Sequence, residues 1–378
     1  MATTMTAPVN NSIALASAYL PILDEVYKKG SLTSVLDTSN ERVRFIGAKT
    51  VNLYKTNMVG MANYQRNGGF VTGDVNGTWE QKELKVDRGR SYHVDVMDND
   101  ETLGMAFGTL VGEVIRTQVT PEVDAYRFAN YAGATGVNAA TPTALTSSTN
   151  VADLIDTALQ VMGDDEVTED NILFLSETAY RLLKGNITRY VANSDRMIEK
   201  SIGIYEGMPV IVVPQKRFYT GCVLLNPTSS SEIGGYENIG AKINFLIVNR
   251  AAVLQVMKHV VPRIFSPEVN QEADAWKFDY RNYHDCWVLD NKVKGIYVHA
   301  APAFTLSATT ATVATGSTTT ATITGSTGTI TIVSSDTSVA TATESSGTIT
   351  ITGVAAGTAK LKIVDGNGSI GYITVTVS

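Results

Sequence analysis

Residues 98–131 read DNDETLGMAFGTLVGEVIRTQVTPEVDAYRFANY, and this stretch carries the longest helical pattern in the chain. Its apolar residues recur every three or four positions, which predicts a helix with one buried stripe from Leu103 to about Tyr131. The stripe consists of Leu103, Phe107, Leu110, Val111, Val114 and Ile115. The acidic group Asp98–Glu101 is expected to cap the N-terminus, and Pro121 predicts a kink or a second helix capped by Thr120. As one rod the helix would span on the order of 43 Å.

The region before this helix predicts an extended arm followed by a β-hairpin. Residues 1–50 carry a short helical pattern around Ile13–Tyr19, but Pro21 discourages a continuous helix, so we expect an arm with local helical turns. Further along, strand-like pieces at Leu84–Val86 and Tyr92–Val96 are joined through Asp87–Arg90. This pattern predicts a β-hairpin whose loops are polar and protrude.

Residues 134–302 predict a region of mixed helices and strands. Helical periodicity indicates one helix at about Val151–Met162 and another from near Ser176 to Gly185. Short apolar runs predict buried strands at Ile172–Leu175, Val210–Val213, Val223–Leu225 and Phe245–Val248. With the preceding elements, they place the main part of the chain in the α+β class.

The composition changes near Ala301–Pro302, which marks a domain boundary. Thr occupies 22 of the 76 positions from 303 to 378, whereas only five are charged. Apolar and small polar residues alternate in several segments separated by Gly- and Ser-rich turns, which predicts a small antiparallel β-sandwich. The segments are Thr329–Ile332, Thr348–Ile351, Ala359–Ile363 and Tyr372–Val377. A disordered, mucin-like stalk is the other interpretation of a Thr-rich tail, but it would lack this alternation.

Charge and chemistry argue against a nucleic-acid-binding protein or an enzyme. The formal net charge is -7, and tight binding to phosphates needs clustered Lys and Arg, so any nearby DNA is expected to be enclosed without sequence-specific binding. The four histidines show no metal-ligand spacing, and no phosphate loop, nucleophile elbow or dinucleotide fingerprint is present. Acidic residues at 164–170 are expected on a solvated loop. We therefore predict no catalytic residues, no metal and no cofactor.

The sequence also predicts the cellular setting. The N-terminal residues Met1–Thr6 lack the pattern of a signal peptide, and no stretch reaches the ~18 apolar residues of a membrane span. We expect the protein to be made in the cytosol and not to associate with a membrane. Cys222 and Cys286 are expected to be reduced thiols.

The order of arm, hairpin, long helix and α/β region resembles the Hong Kong 97 type of phage capsid subunit. The sequence motifs that resemble those of such subunits are Trp79–Leu84, Asp87–Gly89, Val94–Asp95, Asp98, Asp100–Thr102, Val123–Ala125, Glu206–Pro214 and Asp279–Val288. The resemblance implies an N-terminal arm at 1–50, an E-loop hairpin at 51–100, a spine helix at 101–133, and axial and peripheral domains at 134–302. The tail, through Ser334–Ala340 and Ile351–Ala359, resembles the bacterial immunoglobulin-like group 2 family and implies an immunoglobulin-like sandwich at 303–378.

These resemblances imply the major capsid protein of a tailed bacteriophage, located in the virion and assembled in the host cytoplasm. Its partners would be other copies of itself in hexamers and pentamers, a separate scaffolding protein and a portal. The shell would enclose double-stranded DNA, and the exterior tail domain would make weak contacts with glycans. The candidates for contacts between subunits are Arg66, Trp79, Lys82, Lys85, Arg88 and Arg90.

Two other functions stay open from the sequence. An encapsulin-type bacterial compartment shell would share the fold, but the appended immunoglobulin-like domain disfavours it. A cell-surface adhesin would use the tail, but the missing signal pattern and anchor disfavour it. Covalent crosslinking through Lys82 or Lys85 is not predicted, because nothing identifies an Asn partner or an activating acid.

Overall fold

A computed structural model describes residues 30–37, 44–46, 49–64, 66, 68–101, 105–186, 202–227 and 234–378. Most of the predicted arm, including the helical pattern at Ile13–Tyr19, lies outside these residues. The chain divides into two units. The hairpin unit comprises Asp37–Gly108 and Gln255–Asp285, and the core unit comprises residues 30–36, Thr109–Leu254 and Cys286–Ser378.

The hairpin unit is built from antiparallel strands and one short helix. Two three-stranded sheets have the orders β1-β2-β3 and β11-β12-β4. The elements are β1 Arg44–Ile46, β2 Thr50–Met58, β3 Val75–Glu83, β4 Val86–Asp95, α1 Val96–Glu101, β11 Val253–Phe265 and β12 Ala275–Val288. Strands β2 and β3 form the hairpin, with Thr50 opposite Glu83 and Met58 opposite Val75.

The hairpin therefore lies earlier in the chain than predicted. Residues Asp87–Arg90 are not a turn but the middle of β4, which pairs with β12 from Val86 to Asp95. Gly89 is required there for close approach and not for a turn: a Cβ at this position would lie 3.1 Å from the carbonyl oxygen of Tyr280. A glycine flanked by charged residues resembles a turn in sequence, and only the partner strand shows otherwise.

The predicted capping of the long helix by Asp98–Glu101 stays a prediction, because residues 102–104, between this group and Met105, lie outside the described residues. These residues belong to α1, and the side chain at its start is Asp95, whose Oδ1 accepts a hydrogen bond from the backbone N–H of Met97 at 2.9 Å. Asp95 therefore caps the short helix α1.

The long helical segment is confirmed over the described residues. It runs through α2 Met105–Val114, a π-helical turn at Ile115–Val119 and α3 Thr120–Ala132. Pro121 lies in the first turn of α3 and has no N–H to donate. The backbone N–H and the hydroxyl of Thr120 both donate to the carbonyl oxygen of Ile115, the hydroxyl at 3.0 Å. The wider turn therefore lets the helix continue through the proline.

The core unit contains a central sheet, here called the core sheet. Its path is β10-β6-β8-β7, with β9 and β13 also pairing with β10, and β5 pairing with β13. The elements are β5 Asn138–Ala139, α4 Val151–Asp164, β6 Asn171–Ser176, α5 Glu177–Asn186, β7 Ile204–Tyr205, β8 Met208–Val213, β9 Tyr219–Leu225, β10 Gly235–Asn249 and β13 Ile296–Ala300. The two helices and four strands predicted for this region are confirmed as elements. The predicted burial holds for Ile172–Leu175 and Phe245–Val248, but Val210–Val213 is mostly half-buried and Val223 is 40% exposed, so the prediction of a buried strand at Val223–Leu225 is wrong.

Helices cover both faces of the core sheet. Strand β6 is buried along its whole length, as its continuous apolar run predicts. On one face Phe128 of α3 packs edge-on against Phe174 of β6, with ring centroids 5.1 Å apart. On the other face the two helices α4 and α5 bury Ile155 and Leu183 against Leu173. No helix among the described residues is long and apolar enough to cross a membrane.

The tail forms two sheets around its own core, here called the C-terminal sandwich (residues 305–377). One sheet has the order β14-β16-β19-β18. The other, made of β17, β20, β21 and β15, continues from β21 into β10 of the core sheet through one pairing. The strands are β14 Thr305–Leu306, β15 Thr310–Val313, β16 Thr318–Thr324, β17 Thr331–Ser334, β18 Ala340–Ser345, β19 Thr348–Gly353, β20 Gly357–Val364 and β21 Ile370–Val377. The alternation predicted the strands, but the sandwich is not wholly antiparallel, because β15 pairs with β21 in parallel.

Candidate assembly surface

The root of the β2–β3 hairpin is held firmly within the hairpin unit. The backbone N–H of Leu84 donates to the carbonyl of Lys49 at 2.9 Å, and that of Lys85 donates to the Asp285 carboxylate at 2.9 Å. The hydroxyl of Tyr283 donates to the carbonyl of Leu84 at 3.0 Å, and burial raises the pKa of Tyr283, so this hydroxyl keeps its proton. Leu84 and Val86 are both buried. The hairpin therefore projects from a fixed base.

The tip of the hairpin presents apolar side chains to solvent. Met61 is fully exposed, Phe70 is 89% exposed, and the rings of Tyr64 and Phe70 pack together with centroids 4.9 Å apart. The exposed apolar residues of the hairpin are Met58, Val59, Met61, Tyr64, Phe70, Val71 and Trp79. A soluble protein seldom exposes such a cluster unless another molecule covers it. The tip is therefore the strongest candidate for a contact surface on this unit.

Four of the six predicted contact residues lie on the hairpin or at its root. Arg66 is exposed in the tip, and Trp79 on β3 is 56% exposed. Lys82 on β3 forms an ion pair with Glu80 at 2.5 Å, with both side chains about one quarter exposed. Lys85 is exposed in the link between β3 and β4.

Arg88 and Arg90 do not belong to the hairpin, contrary to the prediction. Both are half-buried on β4, opposite Asn282 and Tyr280 of β12. They lie on a strand that is paired within the hairpin unit, so they contribute to the structure of the β4–β12 sheet.

Sequence reasoning missed the apolar tip residues. It predicted that the loops of the hairpin are polar, because Gly, Asn and charged residues dominate the composition of residues 54–98. The available signal was a set of bulky apolar residues beside glycines, at Met58–Met61 and Phe70–Val71, which contribute nothing to a strand core.

Ion pairs fasten the sheet that carries the hairpin root. Arg281 on β12 donates two hydrogen bonds to the Asp87 carboxylate on β4, at 2.8 and 2.6 Å. This contact raises the pKa of Arg281. Lys277 donates to Glu272 at 2.8 Å and lowers the pKa of that carboxyl. The Arg281–Asp87 pair is exposed and joins two paired strands, so it contributes more to the register of β4 and β12 than to stability.

The structure offers no group of ligands for a metal within the part of the chain that it describes. The acidic segment 164–170 lies on an exposed loop, as predicted, and Asp165 there accepts a hydrogen bond from Asn138 at 2.7 Å.

Comparison with solved structures identifies the fold. A solved structure from Gordonia phage Cozz matches 72% of this chain and 86% of its own, at 13% identity and a TM-score of 0.50. The chain shares its fold with a phage protein. Other structural neighbours are the capsid structure of the cyanophage P-SCSP1u, with 11% identity, 68% and 84% coverage and a TM-score of 0.49, and a virus-like particle from Pyrococcus furiosus, with 14% identity, 77% and 100% coverage and a TM-score of 0.45. No family model and no curated protein matches the chain.

Proposed function

We propose that this chain is the major capsid protein of a tailed bacteriophage, with the Hong Kong 97 type of subunit fold, and not an enzyme. The observation that carries the proposal is the hairpin with an anchored root and an uncovered apolar tip. An isolated hairpin cannot bury its own apolar surface, so it needs a neighbouring subunit. The shared phage fold supports the same conclusion.

The expected assembly is a closed shell of hexamers and pentamers in the virion. The shell would form in the host cytoplasm around a separate scaffolding protein and a portal, and would enclose double-stranded DNA. Arg66, Trp79, Lys82 and Lys85 accompany the tip as proposed contact residues, since mixed charge around an apolar centre gives specific and reversible contacts. Arg88 and Arg90 would contribute only through the β4–β12 sheet.

The C-terminal sandwich is proposed to be an immunoglobulin-like group 2 domain on the shell exterior. One of its sheet faces carries hydroxyls in register: Thr318, Thr352 and Thr341 form one row, and Thr320, Thr350 and Thr343 form the next. An uncharged hydroxyl surface of this kind suits weak contacts with glycans, which many copies on one shell would multiply.

Assembly of the full chain, both purified alone and produced together with its scaffolding protein, tests the shell proposal. Electron microscopy and light scattering should find closed shells, or rings of five and six subunits, as concentration rises. The double variant Met61→Ser/Phe70→Ser should stay folded, because both side chains are exposed, but should assemble poorly. Burying two such side chains is worth about 3 kcal/mol or more, so the critical concentration should rise about a hundredfold.

Val333→Ser is the matched control, because Val333 is also an exposed apolar residue but lies on the C-terminal sandwich. It should assemble like the wild type. Compact monomers under all conditions would overturn the shell proposal, whereas normal assembly of the double variant would overturn only the role of the tip.

A further inference from the structure

The C-terminal sandwich contacts two strands of the core sheet through an apolar cluster. Tyr219 of β9 packs with Ile370 and Tyr372 of β21, and each of the three is at most 9% exposed. Ile239 of β10 and Val364 of β20 flank them and are partly buried. The cluster therefore joins side chains from both sides of the predicted domain boundary into one hydrophobic contact.

Backbone groups make a second set of links at the same place. Ile370 pairs with Gly240 of β10, and the hydroxyl of Ser369 donates to the Gly240 carbonyl at 3.1 Å. The hydroxyl of Tyr219 donates to the Gly368 carbonyl at 3.4 Å. The loop that carries these groups is held by Asp365, a buried carboxylate that accepts a hydrogen bond from the Ser369 N–H at 2.8 Å. The loop is thus ordered from within the sandwich to meet β10.

An ion pair lies beside the apolar cluster. The Lys360 ammonium group of β20 contacts the Glu237 carboxylate of β10, and both side chains are about one third exposed. The same ammonium group lies 4.2 Å from the centre of the Tyr372 ring. Lys360 therefore contacts both the Glu237 carboxylate on the core sheet and the Tyr372 ring on the sandwich.

The connection between the two domains has little slack. The backbone N–H of Ala301 donates to the Lys242 carbonyl at 2.8 Å, and both Ala301 and Phe304 are buried. Phe304 packs so closely on β21 that a Cβ at Gly371 would lie 2.8 Å from its ring. Flexible domain boundaries usually lie in exposed segments with few contacts, whereas this one is hydrogen-bonded at Ala301 and buried at Ala301 and Phe304.

We propose that the C-terminal sandwich is a built-in clamp on the β9–β10 strand pair, and not a freely hinged appendage. A simple domain boundary at Ala301–Pro302 would let residues 303–378 be removed with little exposure of the main fold. The contacts argue against this, because removal would uncover Tyr219 and Ile239 and would leave Glu237 without Lys360. Loosening of the sandwich should therefore also increase local unfolding of the β9–β10 strand pair.

Hydrogen exchange on the unassembled full chain tests the clamp, so the result does not depend on shell formation. Ile370→Ser, on the sandwich side, should speed amide exchange in β9 and in the Gly235–Gly240 part of β10 by at least tenfold. Lys360→Met should have an effect in the same direction. Lys292→Met is the control, because Lys292 is exposed on the turn before β13 and its substitution removes the same charge. Its effect on β9 should stay within twofold.

Amides of β16 and β19 report whether the sandwich itself stays folded in each variant. If Ile370→Ser unfolds the sandwich, the milder variant Ile370→Val is used in its place. The double variant Lys360→Met/Glu237→Gln is then compared with its two single variants. Its increase in exchange rate should be smaller than the product of the two single increases. Unchanged exchange in β9 when the sandwich is loosened or its ion pair removed would overturn the clamp.

Discussion

Asp124 on α3 offers the sharpest test of how the N-terminal segment is held. Its carboxylate is fully buried and accepts hydrogen bonds from the Ser31 hydroxyl at 2.9 Å and from the Thr33 hydroxyl at 2.7 Å. The backbone N–H groups of Leu32 and Thr33 donate at 3.0 and 3.3 Å, and Arg217 donates at 3.1 Å. One side chain thus fixes three consecutive residues, which places Leu36 in the main apolar core.

The variant Asp124→Asn keeps the shape of the side chain and removes its charge. An amide has one acceptor oxygen, and its NH₂ group would face donors, so about half of the hydrogen bonds are lost. Each hydrogen bond to a charged group is worth about 1.5–3 kcal/mol, and removing one partner of a buried ion pair costs about 3–5 kcal/mol. We expect the free energy of unfolding to fall by about 3 kcal/mol, and by more for Asp124→Ala.

The assay combines urea unfolding with limited proteolysis of the native full chain. Asp124→Asn should make the chain cleavable within residues 30–36 under conditions in which the wild type resists. Asp164→Asn is the control, because Asp164 is exposed at the end of α4, and its substitution should change stability by less than about 0.5 kcal/mol. Continued protection of residues 30–36 in Asp124→Asn, or a stability equal to that of the wild type, would refute the reasoning.

Two further predictions concern pH and surface adhesion. His299 is buried beside Asn244, and burial lowers its pKa, so stability present above about pH 6.5 should be lost as pH falls through that value towards the lower folded pKa. The stability lost between pH 7 and pH 5 should be smaller in His299→Gln than in the wild type, and equal losses would contradict this. For adhesion, wild-type shells but not unassembled subunits should be retained on a mucin-coated surface, and the isosteric variant Thr320→Val/Thr343→Val/Thr350→Val should reduce retention about tenfold. Equal retention of the variant shells would exclude this face.

Much of the candidate surface could not be predicted from the sequence. A hairpin was predicted, but its turn was placed at Asp87–Arg90, within β4, instead of between β2 and β3. The reason is that Gly89 among charged residues has the composition of a turn. The apolar tip was missed because exposure cannot be deduced from composition. Met61 and Phe70 are ordinary core residues in type, and only the position of the tip, beyond the anchored root, leaves them uncovered.

Elements with a local pattern could be predicted from the order of residues alone. Periodicity of 3.6 placed α4 and α5, continuous apolar runs placed β6 and β8, and alternation placed the strands of the C-terminal sandwich. These patterns are readable because a helix or strand that buries one face repeats its apolar residues at a fixed spacing. The contacts between distant residues are visible only in the folded chain: Asp124 with residues 31–33, β4 with β12, and Lys360 with Glu237. Such pairings depend on how the whole chain folds back on itself, and the residues involved carry no local pattern that identifies their partners.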